Sequence, residues 1–435
     1  MRAIEPDDRA VADVVARFEA SLARDVGRTR ALSEQLITTL EPLAGVRVTS
    51  YLQALRPVVV AAGTGARVGR AVRHTARSLA HIVGSPEVAA ALPSMAAHLG
   101  DHPYPTRAPG DLDLLRPDGA LDASGAFAMM ELNAGSCVGG LVEVEAIAEV
   151  MASWYGGGVP VRWPRPATDV ARMLQRRYGR GARVAWVTAP GGLHAGDGMA
   201  EAGEAFARRC HAVGLWCEPA EADELTWRGD GLALRGDRVD ALWRLMTPRA
   251  WCMSPGAAHL REAVARGAVK LFTSPFDLAL THKGALAWLS RAAPDPRGVE
   301  VPWTRLARPA VEGDDDVLVR VRAESAGFVL KPGVDRQGRR VVLGEEAGAR
   351  WAQHLVAAVL ADDCVVQARV APVGAMLPYV VDGELTRAEV AVVTSPVVAR
   401  GAATTLCART SVPGGTAVLT HPFGGATGLL PVVEA

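Results

Sequence analysis

Apolar residues recur at helical spacing early in the chain: Val11, Val14, Val15, Phe18 and Leu22, then Leu32, Leu36 and Leu40, with charged residues between them. A stripe of that period predicts amphipathic helices over 6–43. Alanine-rich helical segments follow over 51–100, broken at GTGARVG (63–69) and GSPE (84–87), so residues 1–110 are expected to form a helical N-terminal region. The texture changes at 111–134, where LDLLRPDGALDASG reads as a loop or hairpin feeding a short strand, AFAMMELNAG, that ends in polar residues. Helices are predicted over 138–156 and near 167–178, with the break PVRWPRPATD between them. From 182 short strand-like runs (ARVAWVTAP, LWCEPA, RVDALWRLM, VKLFTSP) alternate with helical stretches (GMAEAGEAFARRCHAVG, AAHLREAVARG). That succession predicts a small open α/β sheet in 182–294. After PWTRLARP strands dominate: DDVLVRV, FVLKP, RRVVLG, CVVQARV, MLPYVV and EVAVVTSPVV, with one helix near 347–361. Residues 295–435 therefore read as an α+β lobe.

Composition narrows this picture. The 435 residues are 49% hydrophobic and 22% charged, enough for a large core and two or three structural units. The 47 basic and 47 acidic side chains cancel, so the chain as a whole has no pull toward nucleic acid or an anionic membrane. Six cysteines do not make a disulfide framework at this length, and MRAIEPDDRAVADVV lacks an apolar signal segment; a reducing, cytoplasmic setting is expected. Cys210, His211 and Cys217 lack a second cysteine pair at zinc spacing and read as packing residues. The acidic run at 313–316 reads as a solvated loop.

VVVAAGTGARVGRAV (58–72) invites a dinucleotide reading, because a glycine-rich turn between strand and helix can seat a pyrophosphate. Its surroundings read as helical, and the plainer expectation is a helix–turn–helix connection. Phosphate-loop, H-E-x-x-H and G-x-S-x-G motifs are absent from the sequence.

Lysine usage is more informative. Only Lys270, Lys283 and Lys331 occur among the 47 basic residues. An ammonium is a compact point charge, whereas guanidinium is a wide planar fork, so a lysine kept in an arginine-writing chain fits a narrow phosphate pocket. Lys331 leaves the strand FVL and opens the polar hairpin PGVDRQGRR, whose Asp335 could recruit a cation; Lys283 begins the helix KGALAWLS. Taken singly, Glu131 reads equally well as a solvated strand-end carboxylate and Asp335 as a turn former.

The order of these phrases resembles the ATP-grasp ligases, and more closely their circularly permuted branch, represented by glutathionylspermidine synthetase and eukaryotic glutathione synthetase. The resemblance spans roughly 111–425. LRPDGALDASGAFAMMELNAGSCVGG, with Arg116, Glu131, Asn133, Ser136 and Gly139-Gly140, is similar to the branch's arginine-and-aspartate segment leading to an acidic-x-Asn metal motif. ALWRLMTPR is similar to its strand-end arginine phrase, at Arg244, and KLFTSPFDLALTHKGALAWL to the phrase before an ATP-contacting lysine, here Lys283, with Ser274 in place of the usual asparagine. The resemblance implies phosphate contact by Lys331, magnesium binding by Glu131, Asn133 and Asp335, and an adenine wall at Gln367, Ala368, Arg369 and Val370. CARTSVPGGTAVL puts Arg409 near substrate or phosphate.

The fold so implied is α+β with an α/β subdomain: a circularly permuted ATP-grasp fold with a helical N-terminal region. Its segments are 1–110, a metal-motif segment at 111–181, a Rossmann-like subdomain at 182–294 and a C-terminal ATP-grasp lobe at 295–435. The activity implied is ADP-forming ligation of a carboxylate to an amine, using ATP and Mg2+, on a small molecule, amino acid or short peptide through an acyl phosphate. Arg116, Arg244 and Arg409 would hold the acceptor carboxylate and developing oxyanion, with Ser136 as a further substrate contact. Cys137 need not be a nucleophile. A homodimer is compatible with the resemblance. The rival readings are a non-ligating ATP-grasp descendant that binds nucleotide as an interaction module, and an NAD(P)-binding enzyme using the 63–69 turn.

Overall fold

The structure, a computed structural model, describes residues 9–44, 52–83, 114–122, 125–135, 138–195, 198–246, 250–251, 254–273, 280–291, 299–307, 315–333, 340–361, 364–400, 404–413 and 425–433. Helices α1 (Arg9–Ala23) and α2 (Val26–Ala44) follow the predicted stripes: Val11, Val14, Phe18 and Leu22 are buried on the first, Leu32, Leu36, Leu40 and Leu43 on the second.

Helix α3 (Ala62–Val83) corrects the reading of GTGARVG, which lies inside its first turns and forms no connection. Local propensity disfavours glycine there by about 1 kcal/mol each. Packing decides otherwise: a Cβ on Gly65 would stand 3.2 Å from Val432 and 3.4 Å from Leu406, and one on Gly69 3.3 Å from Thr404. The glycines let α3 lie against the C-terminal strands. Upstream, Val60 makes only an isolated bridge to Val432, so the strand–turn–helix of a dinucleotide site is not formed. GSPE lies outside the described residues.

Strands β1 (Leu114–Leu121) and β2 (Phe127–Ala134) form an antiparallel hairpin. The sequence RPDG, expected in a loop, sits inside β1, where all eight residues are buried. Across to the neighbouring long strand the ladder pairs Leu115 with Val398 and Gly119 with Thr394, and in the gap between those pairs Pro117, with no N–H to donate, is accommodated. The register shifts between Asp118 and Gly119; a Cβ on Gly119 would fall 2.2 Å from the Ala128 carbonyl oxygen and 2.7 Å from the Phe127 ring. Glycine is required at that bulge.

Helices α4 (Leu141–Tyr155) and α5 (Pro166–Tyr178) share a core with α2. A four-stranded parallel sheet follows, ordered β6-β5-β3-β4, from β3 (Arg183–Thr188), α6 (Met199–Ala212), β4 (Trp216–Glu221), β5 (Ala241–Arg244), α7 (Ala258–Ala265) and β6 (Lys270–Phe272). This is the α/β alternation expected from the sequence. A three-stranded meander over 225–238, between β4 and β5, was not foreseen.

Helix α8 (Gly284–Arg291) precedes a four-stranded antiparallel sheet ordered β7-β10-β8-β9, comprising β7 (Thr304–Leu306), β8 (Phe328–Pro332), β9 (Val342–Leu343) and β10 (Cys364–Ala368). It packs on α9 (Asp315–Ala323) and α10 (Trp351–Ala361). DDVLVRV, expected as a strand for its β-branched residues, is α9: Val321 is buried, and its carbonyl accepts from the Trp351 indole at 3.0 Å. Tertiary packing overrides propensity there. The chain then returns to the first hairpin. Strands β11 (Val373–Val381), β12 (Glu384–Ala399), β13 (Thr405–Ser411) and β14 (Gly425–Leu429) extend it into the sheet β2-β1-β12-β13-β14, with residues 299–300 on β2's outer edge and β11 paired to β12. Among the described residues, no helix is long and apolar enough to cross a membrane.

Candidate active site

The hairpin's register builds the site. Arg116 pairs across with Asn133, and Asp118 with Glu131. Side chains two apart on a strand share a face, so R-x-D on β1 and E-x-N on β2 converge on one surface. Two carboxylates directly opposite would repel; surrounding cations offset this. Arg116 Nε lies 3.4 Å from Asp118 Oδ1, and Arg409 Nη1, from β13, 3.6 Å from Oδ2. Asn133 Nδ2 donates to Asp118 Oδ2 at 2.9 Å, and Ser395 Oγ to Oδ1 at 2.6 Å. The other end of Arg116 donates to the Gly139 carbonyl. Burial pushes the Asp118 carboxyl up, but Arg409, Arg116 and the hydrogen bonds prevail and hold it below the usual range.

Both expected lysines reach this surface. Lys283 Nζ lies 3.0 Å from Glu131 Oε1, and the Lys331 ammonium donates to the Met130 carbonyl at 3.0 Å and to Gln367 Oε1 at 2.7 Å. Desolvation is the largest influence on the Glu131 carboxyl and raises it, but the Lys283 and Lys331 charges and the hydrogen bond from Lys283 together leave the group below its ordinary value. Desolvation lowers the Lys331 ammonium to about 8, against the opposing pull of Glu131. The two lysine segments are joined: Lys283 N–H donates to the Gly333 carbonyl at 2.9 Å, and Ala134 N–H, at the end of β2, to Thr281 Oγ1 at 3.3 Å.

Other expected residues fall elsewhere. Arg244 ends β5 fully buried, donating to the carbonyls of Met246 and of Thr273, the latter at 3.2 Å, while Thr273 Oγ1 returns a bond to the Arg244 carbonyl at 2.7 Å. Thr273 has φ 63°, strained for a β-branched residue. Arg244 is thus engaged by Met246 and Thr273, just beyond the ends of β5 and β6. Gln367 is 2% exposed, with its side chain turned to Lys331. Ala368, Arg369 and Val370 run out of β10, where Arg369 pairs with Glu345 and its N–H donates to the Gly327 carbonyl at 2.8 Å. Ser136, Cys137, Ser274 and Asp335 lie outside the described residues.

Asp118 was passed over in the sequence, although its i, i+2 spacing from Arg116 was a usable signal. Ser395 and Thr304 offered none. Among the described residues there is no cluster of three or more His, Cys, Asp or Glu. The donors that are present suit a hard cation nonetheless: Glu131 is 35% exposed, and Asn133, with its nitrogen committed to Asp118, keeps its carbonyl oxygen for a ligand. Arg116, Arg409, Lys283 and Lys331 outnumber the two carboxylates, an imbalance that favours a polyanion.

No protein-family model and no curated protein matches this sequence. In fold, the chain is similar to a glutathione synthetase-like effector from Globodera pallida in its apo form, with TM-score 0.62 and 10% identity over 94% of this chain and 98% of that one. That likeness is one of fold alone, a mixed α/β architecture. The D-cycloserine synthetase DcsG (TM-score 0.28, 14% identity, 52% of this chain and 90% of its own) and the ATP-grasp ligase PsnB with a minimal precursor (0.29, 16%, 57% and 89%) superpose too loosely to bear on it.

Proposed function

We propose that this protein is an ADP-forming, ATP-dependent carboxylate–amine ligase of the circularly permuted ATP-grasp type. The observation that carries the reading is the meeting of Lys283 and Lys331 at one strand, β2, beside Glu131, Asn133 and Asp118. Glu131 and Asn133 precede both lysines in the chain, an order that supports the permuted topology.

Glu131 and Asn133, joined by Asp335, four residues after Lys331 in the sequence, would hold magnesium, which when bound neutralises phosphate charge and orients the nucleotide. Lys283 would exchange its Glu131 partner for phosphate oxygens, and Lys331 would meet the same polyphosphate from the other sheet. A substrate carboxylate oxygen attacks the terminal phosphorus of ATP and ADP leaves. The amine nitrogen then attacks the acyl carbon, phosphate departs and the nitrogen gives up a proton. Arg409, 26% exposed, would face the substrate carboxylate, while the buried Arg116 stabilises the developing oxyanion's surroundings from behind Asp118. Arg244 would act on the acceptor side only through a rearrangement of its loops.

The test is incubation with magnesium, ATP and a panel of amino acids and short peptides, measuring ADP and the joined products by mass. Amine-stimulated ADP release with a condensed product is expected. The second reading is a nucleotide-binding module without ligation. Tight MgATP binding with no amine-stimulated turnover across the panel would establish that reading instead.

A further inference from the structure

We propose that Gln367 is a positioning residue that aims the Lys331 ammonium, its amide oriented by a hydrogen-bond relay running back through Thr304. The inference rests on Lys331 serving the nucleotide site, and it departs from the adenine-wall role that the resemblance implies for this side chain.

The argument starts from sheet register. Gln367 sits opposite Thr304 on β7 and opposite Val329 on β8, and Lys331 is the diagonal neighbour two residues beyond Val329. Thr304, Gln367 and Lys331 therefore share one face of the sheet. Thr304 is fully buried and Gln367 2% exposed, so their polar atoms must find partners within the protein.

The polarity of the relay is fixed at its far end. A carbonyl oxygen only accepts, so Thr304 Oγ1 donates its single hydrogen to Pro302 O at 2.7 Å. Its remaining capacity is as an acceptor, and Gln367 Nε2 donates to it at 3.1 Å. With the amide nitrogen held there, Gln367 Oε1 must face the other way, where Lys331 Nζ donates to it at 2.7 Å. A flipped amide would set its NH2 against the ammonium, donor to donor, and would leave Thr304 facing an oxygen with no hydrogen between them. One carbonyl thus dictates the orientation of three residues on three strands. The Thr304 amide is itself held by Ser290 Oγ at 3.0 Å, on the helix that starts directly after Lys283, so the anchor of the Lys331 relay is tied to the Lys283 element.

The sequence has only three lysines, which makes a direct reading practical. Protein carrying 13Cε-lysine gives three side-chain signals, assigned by single Lys→Arg variants, and their shifts follow ionisation. In the ligand-free wild type Lys331 is expected to titrate near 8. Gln367→Leu removes the acceptor from a desolvated ammonium and moves that midpoint down by about one pH unit or more, whereas Gln367→Glu supplies a carboxylate and moves it up by at least as much. Thr304→Val frees the amide to turn and shifts the midpoint in the same direction as Gln367→Leu, by less; it keeps the reading decidable should the leucine variant fail to fold. A Lys331 midpoint unchanged in the folded Gln367→Glu and Thr304→Val variants, with ATP affinity altered, would return Gln367 to the adenine wall and overturn the proposal. Failure of the wild type to bind MgATP would instead sink the ligase reading and leave the titration result standing.

Discussion

Replacing Asp118 by asparagine removes a single charge at the point where four side chains meet. The Asp118 side chain is 7% exposed, with Arg116 Nε 3.4 Å away at 7% exposure and Arg409 Nη1 3.6 Å away at 26%. The asparagine keeps one carbonyl oxygen, which can still accept from Asn133, and Ser395 can rotate to accept from the new NH2, so hydrogen bonding is largely preserved. What is lost is the counter-charge of a buried guanidinium. Breaking a buried pair by deleting one partner costs about 3–5 kcal/mol; with Arg409 partly solvated, the lower end, about 3 kcal/mol, is expected. Urea unfolding followed by tryptophan fluorescence at pH 7 should show a reduced midpoint at unchanged slope. The pH dependence supplies a second check. The folded-state carboxyl is held below its unfolded value, so its stabilisation is present above the unfolded value of about 4 and lost as pH falls through the lower folded value. The gap between wild type and Asp118→Asn should therefore narrow steadily below about pH 4. A gap under about 1 kcal/mol at pH 7, the worth of an exposed pair, or one that persists undiminished in acid, would refute the account of Asp118 as a charged hub.

The remaining predictions concern the lysines and the packing. Lys283→Met should weaken MgATP binding at least about tenfold by calorimetry, a loss on the scale of a charge-assisted contact, whereas Lys270→Met, at an exposed position on β6, should leave it unchanged. With Lys331 near 8, MgATP affinity should decline as pH rises through that value, and Lys331→Arg, which keeps its charge, should abolish this alkaline limb. In α6, a Cβ on Gly203 would lie 2.1 Å from the Trp186 ring and 2.8 Å from Pro219, so Gly203→Ala should lower the melting temperature despite its better helix propensity, by overpacking worth about 1–3 kcal/mol.

The elements most legible in the sequence are those whose pattern and packing agree. Leu32, Leu36 and Leu40 repeat every four residues and all are buried on α2; the alternation from Arg183 to Phe272 becomes the parallel sheet. The misreadings occur where local chemistry and tertiary demand conflict. RPDG has the composition of a turn, yet it is a buried strand interior because Pro117 falls in a gap of the ladder and Gly119 makes the bulge. The valines of α9 favour a strand, and Gly65 and Gly69 favour a break in α3, until the surfaces they pack against are known. In the candidate site, the scarcity of lysine pointed to Lys283 and Lys331, which the structure brings to β2. Asp118 and the Thr304–Gln367 relay depend on cross-strand register, which no single strand's sequence contains.

The bulge at Gly119 has an evolutionary consequence. Strand side chains alternate with period two, so a slip of one residue between β1 and β2 would turn the polar groups of one strand to the opposite face together. The Cβ-free contact of Gly119 with the Ala128 carbonyl acts as the pin that forbids this slip. Length variation between Leu121 and Phe127 should be tolerated among descendants of this chain, while insertion or deletion between Arg116 and Gly119 would erase the charge cluster in a single event.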